Sequence, residues 1–387
     1  MAEAPSVRPA RVLFVDHTPV IGGAELVLAT HIESLDRSRF EPLVACTDTV
    51  PMLIERYRHA GADVHVLPMP RLRRVSLSMP FELLRAARRL RQLARAQRID
   101  LVVANTSRAA YLASIALFGT RLPLLWWVRD FLFGRAVFRA LSWRAKRVIC
   151  VSHSIRAYYD ARSSRRFDVV YVGSSLDEQL ASVTTPLVRA ERERWGFGQD
   201  DIVVGFMGRL VDDKGPEDVL DAVVEAHALD PRIKLLIVGS GRGQTGDVED
   251  RLHQQVRGRN LDFVVLAGFQ RNEALYYRLF DVFVLATRTP EPYATSVVQA
   301  MLAECPVVAT ATGGTPELVR DGVTGLLVPP RAPGALAAAI LRVARDSSLR
   351  RQLVSRGRAE VAANNREEVV TAQVEAIYDQ VLAASQR

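Results

Sequence analysis

Short runs of β-branched and aliphatic residues alternate with amphipathic helical stretches along almost the whole chain. Few folds accommodate that rhythm, because a strand followed by a helix and another strand winds into a parallel sheet of βαβ units. In the first half, strands are expected at Arg11 to Asp16, Pro42 to Thr47, Val64 to Leu67, Leu101 to Ala104, Pro123 to Val128, Val148 to Val151 and Asp168 to Val172. The pattern lapses between Ser174 and Asp200, a charged stretch containing the helical run Arg189 to Trp195. It resumes with Ile202 to Met207, Leu235 to Val238, Phe263 to Ala267, Val282 to Leu285, Val307 to Thr310 and Gly325 to Val328, and helical pattern then runs to the end. A chain of 387 residues is too long for one ordinary core. The expected fold is therefore α/β, two Rossmann-like domains facing across a cleft, over residues 1–180 and 181–365. The last helix, about Arg366 to Ser385 within 366–387, crosses back to brace the first domain.

With 49% hydrophobic residues and moderate charge the chain is globular, and its net charge of +8 suits anionic partners. The start lacks an apolar core of signal-peptide length and no run approaches a membrane span, so a cytoplasmic location is expected. Cys46, Cys150 and Cys305 lie far apart in apolar runs and read as reduced core residues. The seven histidines show no ligand spacing, so no metal is expected. Nucleic acid is not an expected partner, since aromatic and basic residues do not interleave.

Only three of the 51 basic residues are lysines, at 146, 214 and 234. Lys214 stands in Gly205-Phe-Met-Gly208-Arg209-Leu-Val-Asp-Asp-Lys214-Gly215, where a buried strand gives way to a glycine turn and a helix. Free backbone N–H groups and the helix dipole make such a junction an anion site, and Arg209 and Lys214 add two charges to it. Other glycine turns end strands at Gly22-Gly23, Gly239-Ser-Gly241, Gly268 and Gly313-Gly314. The GSGRGQTG run from Gly239 looks like a dinucleotide fingerprint, but no acidic residue ends the next strand to take a ribose. Between Glu291 and Glu317 a loop carboxylate precedes a helix starting near Ala294 and a buried strand ending in paired glycines. The N–H groups near Ala294, Thr295 and Ser296 offer a second anion site, and Gln299 follows on that helix.

Taken in order, GGAE at 22–25, GRL with KG at 208–215, the Glu-Pro-Tyr loop into a QAM helix, PVVAT, GGTPELV and DGVTGLLVPP at 321–330 resemble glycosyltransferase family 4. The resemblance implies a retaining enzyme of GT-B fold, with an N-terminal acceptor-binding domain and a C-terminal nucleotide-sugar-binding domain. It implies that Arg209 and Lys214 grip the donor diphosphate, that Glu291 contacts the donor sugar, and that Gly22 and Gly23 lie against the phosphates and the acceptor. Gly208, Gly239, Gly268, Phe269, Ala294, Thr295, Ser296 and Gln299 complete the donor-binding set, with base contacts largely from backbone around Gly268 and Phe269. Departure of a diphosphate builds negative charge that cations and helix N-termini favour. The sequence contains no Asp-x-Asp pair for a metal, so protein cations are expected to do this and no cofactor beyond the nucleotide sugar, UDP ahead of GDP, is expected.

Three departures stand out. Gln299 replaces the second Glu of the family's E-x7-E, keeping an acceptor but losing charge. Tyr293-Ala294 replaces Phe-Gly, and Arg129 replaces a histidine that ends an N-terminal-domain strand. Arg129 either binds phosphate or an anionic sugar or pairs with Asp130; Arg129, Asp130 and Asn105 are candidates for donor sugar or acceptor. The acceptor is expected to be a sugar, a lipid-linked glycan or a small natural product. From Phe81 to Arg98 the helical pattern sets Leu83, Ala86, Ala87, Leu90, Leu93 and Ala94 on one stripe and six arginines off it, which suits either packing on the sheet or peripheral contact with an anionic membrane at its inner face. Phe131 to Phe133 and Phe138 to Trp143 add apolar bulk, for an acceptor pocket or a membrane-facing loop. The competing functional readings are an epimerase-like GT-B protein and a catalytically silent nucleotide-sugar binder.

Overall fold

The computed structural model describes residues 8–17, 22–70, 79–159, 166–241 and 247–386. The latter part of the glycine run after Gly241, residues 242–246, lies outside them. Seven parallel strands form the first sheet: β1 (Ala10–Asp16), β2 (Phe40–Cys46), β3 (Asp63–Val66), β4 (Leu101–Ala104), β5 (Leu124–Val128), β6 (Arg147–Cys150) and β7 (Phe167–Val169), in the order β3-β2-β1-β4-β5-β6-β7. Six form the second: β8 (Ile202–Met207), β9 (Ile233–Val238), β10 (Val264–Gly268), β11 (Val282–Leu285), β12 (Val307–Thr310) and β13 (Leu326–Val328), in the order β10-β9-β8-β11-β12-β13. Each expected strand is present, twelve of them within two residues at either end and β7 stopping three residues short of Val172; strands buried on both faces must be largely apolar and so stand out in the sequence. In both sheets the order reverses once, between β1 and β4 and between β8 and β11. Loops leaving the carboxyl ends diverge there and open a crevice.

The chain divides into residues 1–173 with 367–387, and residues 174–366. The break falls before the helix Leu176–Leu180, which packs on the helix Glu273–Leu279 of the second unit. The two crossing segments pair with each other: Ser174 bridges Arg366, and the Ser174 N–H donates to the Asn365 carbonyl at 2.9 Å.

The helix Glu367–Gln386 belongs to the first unit. His31, fully buried on the helix Gly23–Glu33, bonds Thr371 and Tyr378, each at 3.0 Å. Because the Thr371 hydroxyl donates to Glu367 at 3.0 Å, it accepts from Nδ1–H of His31, which leaves Nε2 to accept from Tyr378. Burial depresses the His31 pKa to about 3 and raises that of Glu367 to about 7. Arg39 adds ion pairs to Glu375 at 2.7 Å and Asp379 at 2.5 Å.

The apolar stripe of the helix Met79–Ala96 faces inward: Leu83, Ala86, Ala87, Leu90 and Ala94 are buried, which removes the stripe itself as a membrane contact. The other aromatic run splits, with Phe138 stacked on Tyr159 at 3.8 Å between ring centres and Trp143 exposed. All three cysteines are free and buried.

Glu367 carries opposite linkage to His31. Its folded pKa lies above the unfolded value, so its contribution is present in acid and lost as pH rises through about 7. Glu367→Gln should therefore gain stability relative to the parent on going from about pH 5 to about pH 8, by roughly 2 kcal/mol. Denaturant melts at the two pH values check this.

Candidate functional site

In the second unit the glycine turns interlock. The Gly208 N–H donates to Val238, and the Gly239 N–H to Gly268, so the ends of β8, β9 and β10 are stitched together. A Cβ on Gly239, at φ +144°, would stand 1.8 Å from the Gly208 carbonyl oxygen, which leaves room only for glycine. After Gly208 come the exposed Arg209 and a 3-10 turn, Asp212–Lys214, which leads through Gly215 into the helix Pro216–Leu229.

Lys214, following β8, forms an ion pair with Glu291, following β11. Both side chains are largely buried, and they meet at the point where the strand order reverses. Glu291 is held from behind: its carbonyl accepts from the Gly314 N–H at 2.7 Å, and a Cβ on Gly313, at φ +55°, would stand 2.1 Å from that oxygen. Two residues on, Tyr293 accepts from the buried Asn365 amide at 2.8 Å. The helix Thr295–Leu302 begins after Ala294 with no side-chain cap. Ala294 is buried, Thr295 and Ser296 are half-buried, and Phe269 stands 66% exposed beyond Gly268.

Gln299 is engaged at both ends of its amide. Nε2 donates to Glu273 at 2.8 Å, and Oε1 accepts from Tyr277 at 3.1 Å. Glu273 has no cation partner among the described residues, and burial raises its pKa while the Gln299 bond lowers it. Sequence spacing missed this carboxylate because it lies on another helix, 26 residues away.

In the first unit Asp16 ends β1 and Asn105 follows β4 at the corresponding reversal, Arg129 follows the neighbouring β5, and all three are buried. Gly22 caps the helix that begins at Gly23, and its N–H donates to Glu25 at 2.8 Å. Asn105 Nδ2 reaches the Ala24 carbonyl at 3.3 Å. Arg129 does not pair with Asp130, which instead accepts from the Ser107 hydroxyl at 2.5 Å and the Leu132 N–H at 3.2 Å. The guanidinium stacks on Trp127, 3.9 Å from the ring centre, with Glu367 and Glu25 as its main negative neighbours. Burial lowers its pKa to about 10. Asp16, hydrogen-bonded by Tyr57 at 2.6 Å, is pushed up to about 8 by burial and by Glu25. One oxygen each of Asp16 and Asn105, and Nε and Nη2 of Arg129, are buried without a hydrogen-bond partner among the described residues. The signal for Asp16 and Glu25 was an ionisable side chain at the end of a buried strand and another beside the paired glycines. Among the described residues no group of three or more His, Cys, Asp or Glu side chains is placed to hold a metal ion.

The glycosyl transferases group 1 family model matches residues 188–360, and the glycosyltransferase family 4 model matches residues 21–178. The chain belongs to the group 1 glycosyltransferases. Its two Rossmann-like units are those of the GT-B fold. A D-inositol 3-phosphate glycosyltransferase of Geodermatophilus obscurus is 34% identical over 234 residues, 58% of this chain and 50% of that protein. The chain thus spans about half the length of that relative. The capsular polysaccharide biosynthesis glycosyltransferase CapM of Staphylococcus aureus is 23% identical over 377 residues, 89% of this chain and 97% of that one. Among solved structures, Anabaena HepE in complex with UDP and glucose superposes with a TM-score of 0.83 at 25% identity, covering 96% of this chain and 100% of HepE.

The Gln299–Glu273 contact makes a prediction. Gln299→Glu would set two carboxylates against each other and should destabilise the second unit by about 1–3 kcal/mol near neutral pH. Adding Glu273→Gln should restore stability, as a double-mutant cycle in denaturant would show.

Proposed function

We propose that this chain moves a sugar from a nucleoside-diphosphate sugar to an acceptor hydroxyl with retention at the anomeric carbon, using protein cations in place of a metal. The observation that carries the reading is the meeting of Lys214 and Glu291 at the strand reversal of the second sheet, in a chain of glycosyltransferase family. The ion pair keeps the lysine extended before substrate arrives. An incoming diphosphate draws Lys214 and Arg209 to its oxygens, and Glu291 is released to accept hydrogen bonds from donor-sugar hydroxyls. As the bond from C1 to the diphosphate oxygen breaks, negative charge gathers where these cations and the uncapped start of the helix Thr295–Leu302 favour it. The acceptor oxygen then bonds to C1 on the same face, and its proton passes to the departing phosphate.

The remaining residues take supporting parts in this reading. Backbone at Gly208, Gly239 and Gly268 approaches the nucleotide, Phe269 offers a ring face beside the base, and Gln299 with its Glu273 partner meets the ribose. Gly22, Gly23, Asn105, Arg129 and Asp130 serve acceptor and donor sugar. UDP is the nucleotide we favour, supported by the complexes of HepE with UDP and UDP-glucose. The acceptor is a sugar, a lipid-linked glycan or a small natural product.

A thermal-shift screen of UDP-, GDP- and dTDP-sugars should give the largest stabilisation with a UDP-sugar. In a donor-turnover assay with the donor so found, Lys214→Ala should lose roughly 100-fold to 1,000-fold in kcat, and added magnesium should not restore it. Near-normal turnover by that variant would overturn the assignment.

A further inference from the structure

The edge of the first sheet opposite the strand reversal carries a second surface. In a parallel sheet the helices return to the amino ends of the strands, so the end of the helix Met79–Ala96, the 117–123 segment before β5, and the end of the helix Arg135–Arg144 all gather there. The first two enclose a groove of about 330 Å³. Three arginines converge on it, Arg91, Arg95 and Arg98, and its apolar wall includes Ile99, Leu117 and Leu122. Arg91 and Arg95, four residues apart, share one face of the helix, and Arg98 lines the groove just beyond its end. None has an acidic partner among the described residues, and Nε of Arg91 is buried without a hydrogen-bond partner.

Two further observations mark the same place. Arg98 follows the helix at φ +48°, a position where glycine normally ends a helix, so the chain bears left-handed backbone strain in an arginine that lines the groove. In the adjoining segments Phe118 is 78% exposed and Trp143 is 80% exposed. Their segments are joined, since Arg144 donates to the carbonyls of Leu117 at 3.0 Å and Leu122 at 3.1 Å. Unpaired arginines over an aliphatic wall, flanked by exposed tryptophan and phenylalanine, match a bilayer interface in charge and in polarity.

We propose that this edge docks the protein on an anionic lipid bilayer, with lipid phosphates at Arg91, Arg95 and Arg98 and the rings of Trp143 and Phe118 at the level of the headgroups. The surface belongs to the first unit, and the proposal does not depend on the donor assigned to Lys214 and Glu291. No helix among the described residues is long and apolar enough to cross a membrane, so docking would be peripheral.

Flotation of the full chain with liposomes tests this. The protein should rise with vesicles of phosphatidylcholine containing phosphatidylglycerol and stay behind with phosphatidylcholine alone. Each arginine removed should weaken partitioning by about fivefold, so Arg91→Gln with Arg95→Gln and Arg98→Gln should weaken it by roughly a hundredfold. Trp143→Ser, at a side chain clear of the core, should weaken it several-fold and serves if the triple variant does not fold. Equal flotation with both vesicle types, no flotation with either, binding to a nucleic acid in preference to vesicles, or parental flotation of Trp143→Ser or of a folded triple variant would each overturn the proposal.

Discussion

Parallel pairing without hairpins is the constraint from which the arrangement follows. Every strand enters at one edge of its sheet and leaves at the other, so long loops collect at the carboxyl edge and helix ends at the amino edge. One reversal of strand order in each sheet then separates two loops and leaves space between them. Lys214 and Glu291, which are 77 residues apart, meet because β8 and β11 are neighbours at such a reversal. The same geometry separates the chemistry-bearing edge of the first sheet from the arginine groove on its far side.

The buried charges of the first unit are best understood as a closed set. Arg129 has Glu25 and Glu367 as its main negative neighbours, while Asp16 and Glu367 hold protons more tightly than ordinary carboxylic acids. With Glu25 and Glu367 beside it the arginine already has negative neighbours, which weakens the idea that it exists to recruit an anion. A neutral, hydroxyl-rich ligand suits such a neighbourhood better, since it can both donate to the carboxyls and accept from the guanidinium.

Much of the backbone could be read in advance. Most of the thirteen strands are largely apolar runs, and the glycines at 239 and 313 mark places where another backbone comes too close for a side chain. The chemistry around those backbones was less legible. Gln299 read as a lost charge, whereas the carboxylate facing it, Glu273, comes from a different helix. Arg129 and Asp130 are adjacent in sequence yet turn to different partners, Trp127 and Ser107. Phe138 and Trp143 looked alike as aromatic bulk, and only their helix phase sends one into the core and the other into solvent. Periodicity reports which residues are buried; it does not report whom a buried polar group meets across a hundred residues of chain.

The crossing at Ser174 and Arg366 also has a bearing on biogenesis. The first unit is complete only when Glu367–Gln386 has covered His31, and that segment is synthesised after residues 174–366. Residues 174–366 can reach their final contacts while the earlier half still lacks its closing helix, so the domain made first is finished last. During that interval the face around Phe14, His31 and Phe40 has no cover from Tyr378. Until it is covered, that face is apolar surface open to premature contacts, an exposure that neither unit's stability alone would suggest.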